Sequence, residues 1–313
     1  MSRIRIATRG SDLALTQARH IAARIEAELG VETELVVLRT TGDRIQDRSL
    51  AKIGGKGLFV KEIEEALLDG RADVAVHSAK DMPAGLAEGC CLAAYPERVD
   101  PRDALCGRER GTSLDDLPEG ARVGTGSTRR MALLRRHRPD LEIVPLRGNV
   151  PTRLDKIHGE DLAAVILACA GLDRLGLSDR IDERIAPETM LPAVGQGLLA
   201  LETRADDPWR ERIARLESPE TGMVARAERA FQSRLGGDCS VPLAGFAEPT
   251  SEGGLHFRGL VSSIDGRRIA EAEGSGPAAA AESIGVAVAE TVLEKGGAEI
   301  LRDLALADEA SNV

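Results

Sequence analysis

Ala121-Arg-Val-Gly-Thr-Gly-Ser-Thr-Arg-Arg130 is the stretch that decides how this chain is built. Residues 121–125 read as a short strand. A glycine turn follows, Ser127 stands where a helix N-cap belongs, and the first helical turn brings Arg129 and Arg130. Free N–H groups at a helix start, two hydroxyls (Thr125, Ser127) and two guanidiniums make an anion site. The same joint recurs along the chain. Residues 3–8 alternate as a strand, Thr8-Arg9-Gly-Ser11 turns, and a helix follows with the stripe Leu13, Gln17-Ala18, Ile21, Ile25, Leu29, closed by Gly30. A strand at 141–146 leads through Arg147-Gly-Asn149 into a helix from Val150 that carries Arg153. A strand at 163–168 leads through a helical segment to Arg174. One arginine at a turn is ordinarily a solvated charge. The same chemistry at successive strand-to-helix joints predicts one cleft at the carboxyl ends of parallel strands, taking a ligand with several carboxylates or phosphates. With no Gly-x-x-x-x-Gly-Lys-Ser/Thr present, nucleotide phosphates have the weaker claim.

Outward from these joints, the pattern predicts a helix at 58–68, a strand at 73–79, and a strand at 198–203 that returns to the first unit after a crossover at 186–192. A long helix runs from Ser218-Pro219 to Leu235. Three hairpin-like strands follow near 243–248, 255–262 and 267–273, with an alanine-rich helix at 278–294. The fold class is α/β with a largely parallel sheet in each of two units, followed by an α+β domain. The expected limits are 1–97 plus 198–216 for the first domain, 98–197 for the second and 217–313 for the third. The glycine-rich, charged stretch 42–57 is expected to be a mobile surface loop acting as a lid near the cleft, with Lys52, Lys56 and Phe59 as the lid-loop candidates.

The 313 residues carry 41 Lys+Arg against 51 Asp+Glu, and only 2% are aromatic. An acidic chain so poor in stacking platforms is a weak candidate for nucleic acid. The longest apolar run, 162–172, is short of the roughly 18 residues that a membrane span needs. No signal-like apolar stretch opens the chain, so a cytoplasmic location is expected. Five cysteines without a Cys-x-x-Cys pair and five scattered histidines support neither a disulfide framework nor a metal centre.

His77-Ser-Ala-Lys-Asp-Met-Pro83 ends a strand and sets Lys80 beside Asp81. A carboxylate there suits general acid–base work tuned by the lysine, and the lysine alone suits a Schiff base. Leu235-Gly-Gly-Asp-Cys-Ser-Val-Pro242 puts Cys239 in a glycine-rich loop after a long helix, where a thiol can serve as nucleophile or attachment point. Cys90, Cys91, Cys106 and Cys169 sit among apolar residues and read as small buried hydrophobes.

Together these pieces resemble the porphobilinogen deaminase (hydroxymethylbilane synthase) family. Ala7 to Gln17, Gly54 to Glu62, His77 to Pro83, Gly124 to Arg130, Leu146 to Val150, Ile166 to Leu172 and the Cys239 loop match in order and spacing through almost the whole chain. The resemblance implies two α/β domains like those of type II periplasmic binding proteins flanking a cleft, with a C-terminal α+β domain holding a three-stranded antiparallel sheet. It implies a dipyrromethane cofactor joined by a thioether to Cys239. On that primer four porphobilinogen molecules would be added, with loss of ammonia, to give hydroxymethylbilane. By position Asp81 would be the catalytic carboxylate. Arg9, Ser11, Gln17, Lys80, Thr125, Ser127, Arg129, Arg130, Arg147, Arg153 and Arg174 would line the cleft, with Arg129 and Arg130 holding the cofactor or first units. No metal, membrane or nucleic acid is implied, and a monomer is expected. The chain departs from the family at Gly126, where a serine is usual, and at Asp238, where glycine is common. Two other readings follow from the same residues: a two-lobed solute-binding module, which would need no Cys239, and a lyase using Lys80.

Overall fold

The computed structural model describes residues 3–41, 60–236 and 241–311. The predicted strand-and-helix joints are present. In the first sheet β1 (Ile4–Arg9), β2 (Thr33–Leu38), β3 (Val74–Ser78), β4 (Cys90–Ala94) and β10 (Leu199–Arg204) stand in the order β2-β1-β3-β10-β4. In the second β5 (Asp103–Gly107), β6 (Arg122–Thr125), β7 (Glu142–Pro145), β8 (Ala164–Ala168) and β9 (Glu183–Ile185) stand in the order β7-β6-β8-β5-β9. The central strand of each parallel trio, β1 or β6, pairs in parallel with both neighbours. Each sheet also contains one strand, β10 or β5, antiparallel to both of its partners. The sheets are therefore mixed. The antiparallel strands arise because the chain crosses between lobes twice, through 95–102 and through 186–198, and enters the new sheet from the opposite end. The strand expected at 198–203 is β10, and it does return to the first sheet.

The joints form for local reasons. Ser11 caps α1 (Asp12–Leu29), accepting from the Ala14 N–H at 3.3 Å, and Gly30 closes it with φ 64°. Ser127 caps α3 (Thr128–His137), and Asn149 caps α4 (Val150–Gly159), with Pro151 in its first turn. Between α1 and α3 in sequence order, α2 (Lys61–Leu68) packs the other face of the first sheet from α1, its buried Ile63 and Leu67 meeting Ala7 and Ala75. The second lobe continues with the short α5 (Cys169–Arg174), and α6 (Arg210–Ile213) follows β10.

The third domain is the antiparallel sheet β11 (Leu243–Pro249), β12 (Gly254–Ser262) and β13 (Ile269–Pro277), in that order, covered by α7 (Pro219–Leu235) and α8 (Ala281–Val292). Phe231 of α7 meets Phe257 of β12 edge to face, with centroids 5.0 Å apart. This core is continuous with Ala79, Met82 and Tyr95 of the first lobe. The helix expected at 278–294 is α8, and a further helix, α9 (Ala298–Ser311), which was not anticipated, follows it beyond a kink where Gly296 adopts φ 103°. β4, β5 and β9 were not anticipated. β5 is buried at every residue and so shows no alternation to read.

Candidate active site

The carboxyl ends of β1 and β3 face those of β6 and β8 across the lobe junction. A narrow pocket there is lined by Gln17, Ser78 and Lys80 from the first lobe, Gly171 and Arg174 from the second, and Gly195 and Gly197 from the returning crossover. Gln17 is buried, and its amide nitrogen donates to the Ser78 hydroxyl at 2.9 Å. Lys80 and Asp81 lie on a single 3-10 turn, Ala79–Asp81, directly after β3. Asp81 is exposed, and its carboxylate makes no hydrogen bond among the described residues.

Around it lie cations short of counter-charge. Burial, helped by Arg130, pushes Lys80 down to about 8, with Asp81 and Asp103 only partly offsetting it. Burial likewise lowers Arg153 to about 10, with Arg130 and Arg147 adding repulsion and Asp81 opposing. Arg174 falls to about 10 through burial alone. The Arg153 guanidinium makes one hydrogen bond, to the Gly148 carbonyl at 2.7 Å, and that of Arg174 makes one, to the Gly197 carbonyl at 3.0 Å. Arg147 and the Lys80 ammonium have none among the described residues. Half-buried guanidiniums held to the protein by single carbonyls have donors left for a ligand, and an anion bound there would offset the cost of burying their charge.

Arg129 and Arg130 are placed differently from the expectation. Both are buried, at 3% and 5% exposure, and both are turned onto Asp103 at the start of β5. Arg129 spans it with two bonds of 2.7 and 3.0 Å and gives another to the Leu191 carbonyl. Arg130 contacts Asp103 at 2.8 Å through Nε and also binds the Ile166 carbonyl at 3.0 Å. Burial disfavours the charge on Asp103, but the two guanidiniums override this and hold its carboxyl far below the usual carboxylate range. Both terminal nitrogens of Arg129 are turned onto protein acceptors beneath the site, while its buried Nε has no partner among the described residues. Arg130 contributes one net positive charge shared with its neighbour. Asp103 and Gln196, whose amide nitrogen reaches Asp103 at 3.0 Å, were missed by sequence reasoning. The one available signal was a carboxylate opening the apolar run Asp103 to Cys106.

Ser11 and Ser127 act as caps, and Thr125, 1% exposed, accepts from the Ser127 N–H at 3.3 Å to shape the turn. Arg9 is half-buried at the end of β1. Gly126 is dictated by spacing, since a Cβ there would stand 2.5 Å from the Leu146 carbonyl oxygen. Cys239, Asp238, Lys52, Lys56 and Phe59 lie outside the described residues. Cys106 and Cys169 are buried, and Cys90 and Cys91 are half-buried in β4. No group of side chains able to hold a metal occurs among the described residues, and no helix there is long and apolar enough to cross a membrane.

Two families match this chain: "Porphobilinogen deaminase, dipyromethane cofactor binding domain" over residues 4–212 and "Porphobilinogen deaminase, C-terminal domain" over residues 223–294. The chain belongs to the porphobilinogen deaminase family. The porphobilinogen deaminase of Syntrophus aciditrophicus is 50% identical over 306 residues, covering 96% of this chain and 98% of that one. That of Syntrophomonas wolfei is 46% identical over 303 residues, again covering 96% and 98%. Among solved structures, an ABC transporter periplasmic substrate-binding protein from Coxiella burnetii is similar at 15% identity and a TM-score of 0.42, over 68% of this chain and 91% of its own. As a member of the porphobilinogen deaminase family the chain is a transferase of tetrapyrrole biosynthesis, hydroxymethylbilane synthase, and works with a dipyrromethane cofactor. The cations at the lobe junction fit such a group, because each pyrrole unit brings carboxylate side chains.

Proposed function

We propose that Asp81 is the catalytic carboxylate of this synthase, that Lys80, Arg147, Arg153 and Arg174, with Arg9, bind the carboxylates of cofactor and growing chain, and that Cys239 is the attachment point. The observation that supports this reading is the exposed, unbonded Asp81 set among Lys80 and Arg153, two cations held below their ordinary values chiefly by burial, with Arg130 adding repulsion. The cofactor, when bound, supplies a primer pyrrole whose free α-carbon accepts the first substrate unit. Asp81 stabilises the positive charge that develops on pyrrole nitrogens as ammonia leaves, and takes the proton lost when the new bond forms. Gln17 and Ser78, bonded to each other, orient the pocket floor. Arg129, Arg130 and Asp103 form a rigid base under the cation cluster. The protein is read as a cytoplasmic monomer acting on porphobilinogen, with domain limits of 1–97 plus 198–216, 98–197 and 217–313.

The test is Asp81→Asn, which keeps shape and removes charge. The chemical step should fall by orders of magnitude, while cofactor-loaded protein still binds substrate. Full single-turnover rates in that variant, or an equal loss in an Asp173→Asn control, would contradict the role.

A further inference from the structure

We propose that Glu228 and Arg229, successive residues of α7, are positioning residues for Asp81; the proposal rests on the reading of Asp81 as the catalytic carboxylate. Arg229 reaches from the third domain into the first lobe, where one terminal nitrogen donates to the Ala84 carbonyl at 3.0 Å and the Pro83 carbonyl at 3.3 Å. Those residues follow Asp81 by two and three positions. Its other terminal nitrogen is buried without a hydrogen-bond partner, a penalty that a side chain serving stability alone would be expected to shed.

Glu228 bears on the same turn indirectly, through Gly195. It is fully buried, and its carboxylate accepts from the Gly195 N–H at 2.6 Å, the Ala247 N–H at 3.0 Å and Arg98 at 2.7 Å. Gly195 lies against the Ala79–Lys80 peptide, one residue ahead of Asp81. A Cβ built on it would stand 2.8 Å from the Ala79 carbonyl carbon and from the Lys80 nitrogen, and its φ of 74° favours glycine. Met82, next after Asp81, is 1% exposed and shares a core with Phe231 of α7. Within itself the turn has one restraint, the Met82 N–H to the Ala79 carbonyl at 3.2 Å. One turn of α7 therefore brackets Asp81 from both sides, through Gly195 before it and through Pro83 and Ala84 after it. Misplacing a catalytic group by about 1 Å can cost on the order of a hundredfold in rate. The helix that precedes Cys239 in the sequence is thus the one that sets where Asp81 stands.

Arg229→Met keeps the apolar stem and removes the donors, and Arg229→Lys restores an N–H donor. In cofactor-loaded protein, Arg229→Met should lower kcat on the order of tenfold with KM changed by no more than about twofold. Arg229→Lys should recover most of the loss. Arg226→Met, on the same helix but exposed and paired with Glu217, should change neither parameter. Two readouts stand apart from activity: intact mass should show full cofactor content in Arg229→Met, and amide exchange over residues 79–86 should quicken. In an Asp81→Asn background Arg229→Met should add no further loss, since both act through one carboxylate. If Arg229→Met does not fold, Arg229→Gln carries the same comparison. Unchanged kcat, unchanged exchange, or additive losses would overturn the positioning role. Should Asp81→Asn itself stay fully active, the reading of Asp81 fails, whereas an inactive Asp81→Asn beside a fully active Arg229→Met defeats the positioning role alone.

Discussion

Two guanidiniums closing on one carboxylate leave Asp103 without a substitute. Asp103→Asn keeps the volume but strands Arg129 and Arg130 as buried cations, and breaking such a pair from one side costs about 3–5 kcal/mol. Urea unfolding of the variant should show a midpoint lowered accordingly, and a midpoint matching the wild type would deny the pairing. Lys80 should act in the opposite sense. Its folded value, about 8, lies below its ordinary 10.5, so the unfolded chain binds the extra proton between those values, and the stability of cofactor-free protein should rise as pH climbs through that window. At pH 7 Lys80→Met should therefore melt higher than wild type without cofactor, yet hold carboxylate ligands less well. A lower melting temperature would show the lysine to be compensated already. At this scale the sequence was partly legible. Lys80, Arg147, Arg153 and Arg174 were found because strand-to-helix joints force them to one edge. Asp103 was not, because its partners lie 26 and 27 residues away and only the sheet order brings them together.

Elements whose ends carry caps were read well, and those defined only by burial were not. Ser11, Ser127, Asn149 and Ser218 each announce a helix through a side-chain acceptor, and all four helices begin one residue later. β5, five residues buried on both faces, and β9, three residues long, have no periodicity to betray them. One element contact is unforgiving. α7 and α8 approach so closely that a Cβ on Gly285 would stand 2.1 Å from the Ala227 carbonyl oxygen. Gly285→Ala should force the helices apart at a cost of roughly 1–3 kcal/mol, despite alanine's better helix propensity. Thermal unfolding decides it, and a stabilised variant would mean that the helix pair is more pliable than this packing implies.

At the scale of the whole molecule, two crossing segments join the lobes, and the cations sit where the lobes meet. Each added unit brings two further carboxylates into that junction. Arg153, bound to the protein through one carbonyl, is free to take them up, and Arg153→Leu should yield cofactor-loaded protein that accumulates partly elongated chains. A chain-length distribution identical to wild type would reduce Arg153 to a surface charge. The architecture was largely legible because the joints repeat and the return crossover at 186–192 was anticipated, whereas the mixed strand order was not, since the direction in which β5 and β10 enter their sheets leaves no local mark. The central claim is that the cation cluster serves a dipyrromethane group tethered at Cys239. Intact mass of the denatured protein tests it most directly. Wild type, Cys106→Ser and Cys169→Ser should each exceed the mass of the bare chain, 33.2 kDa for the wild type, by two linked pyrroles, and Cys239→Ser should show the bare chain. A wild type at bare mass, or an adduct that survives in Cys239→Ser, would contradict it.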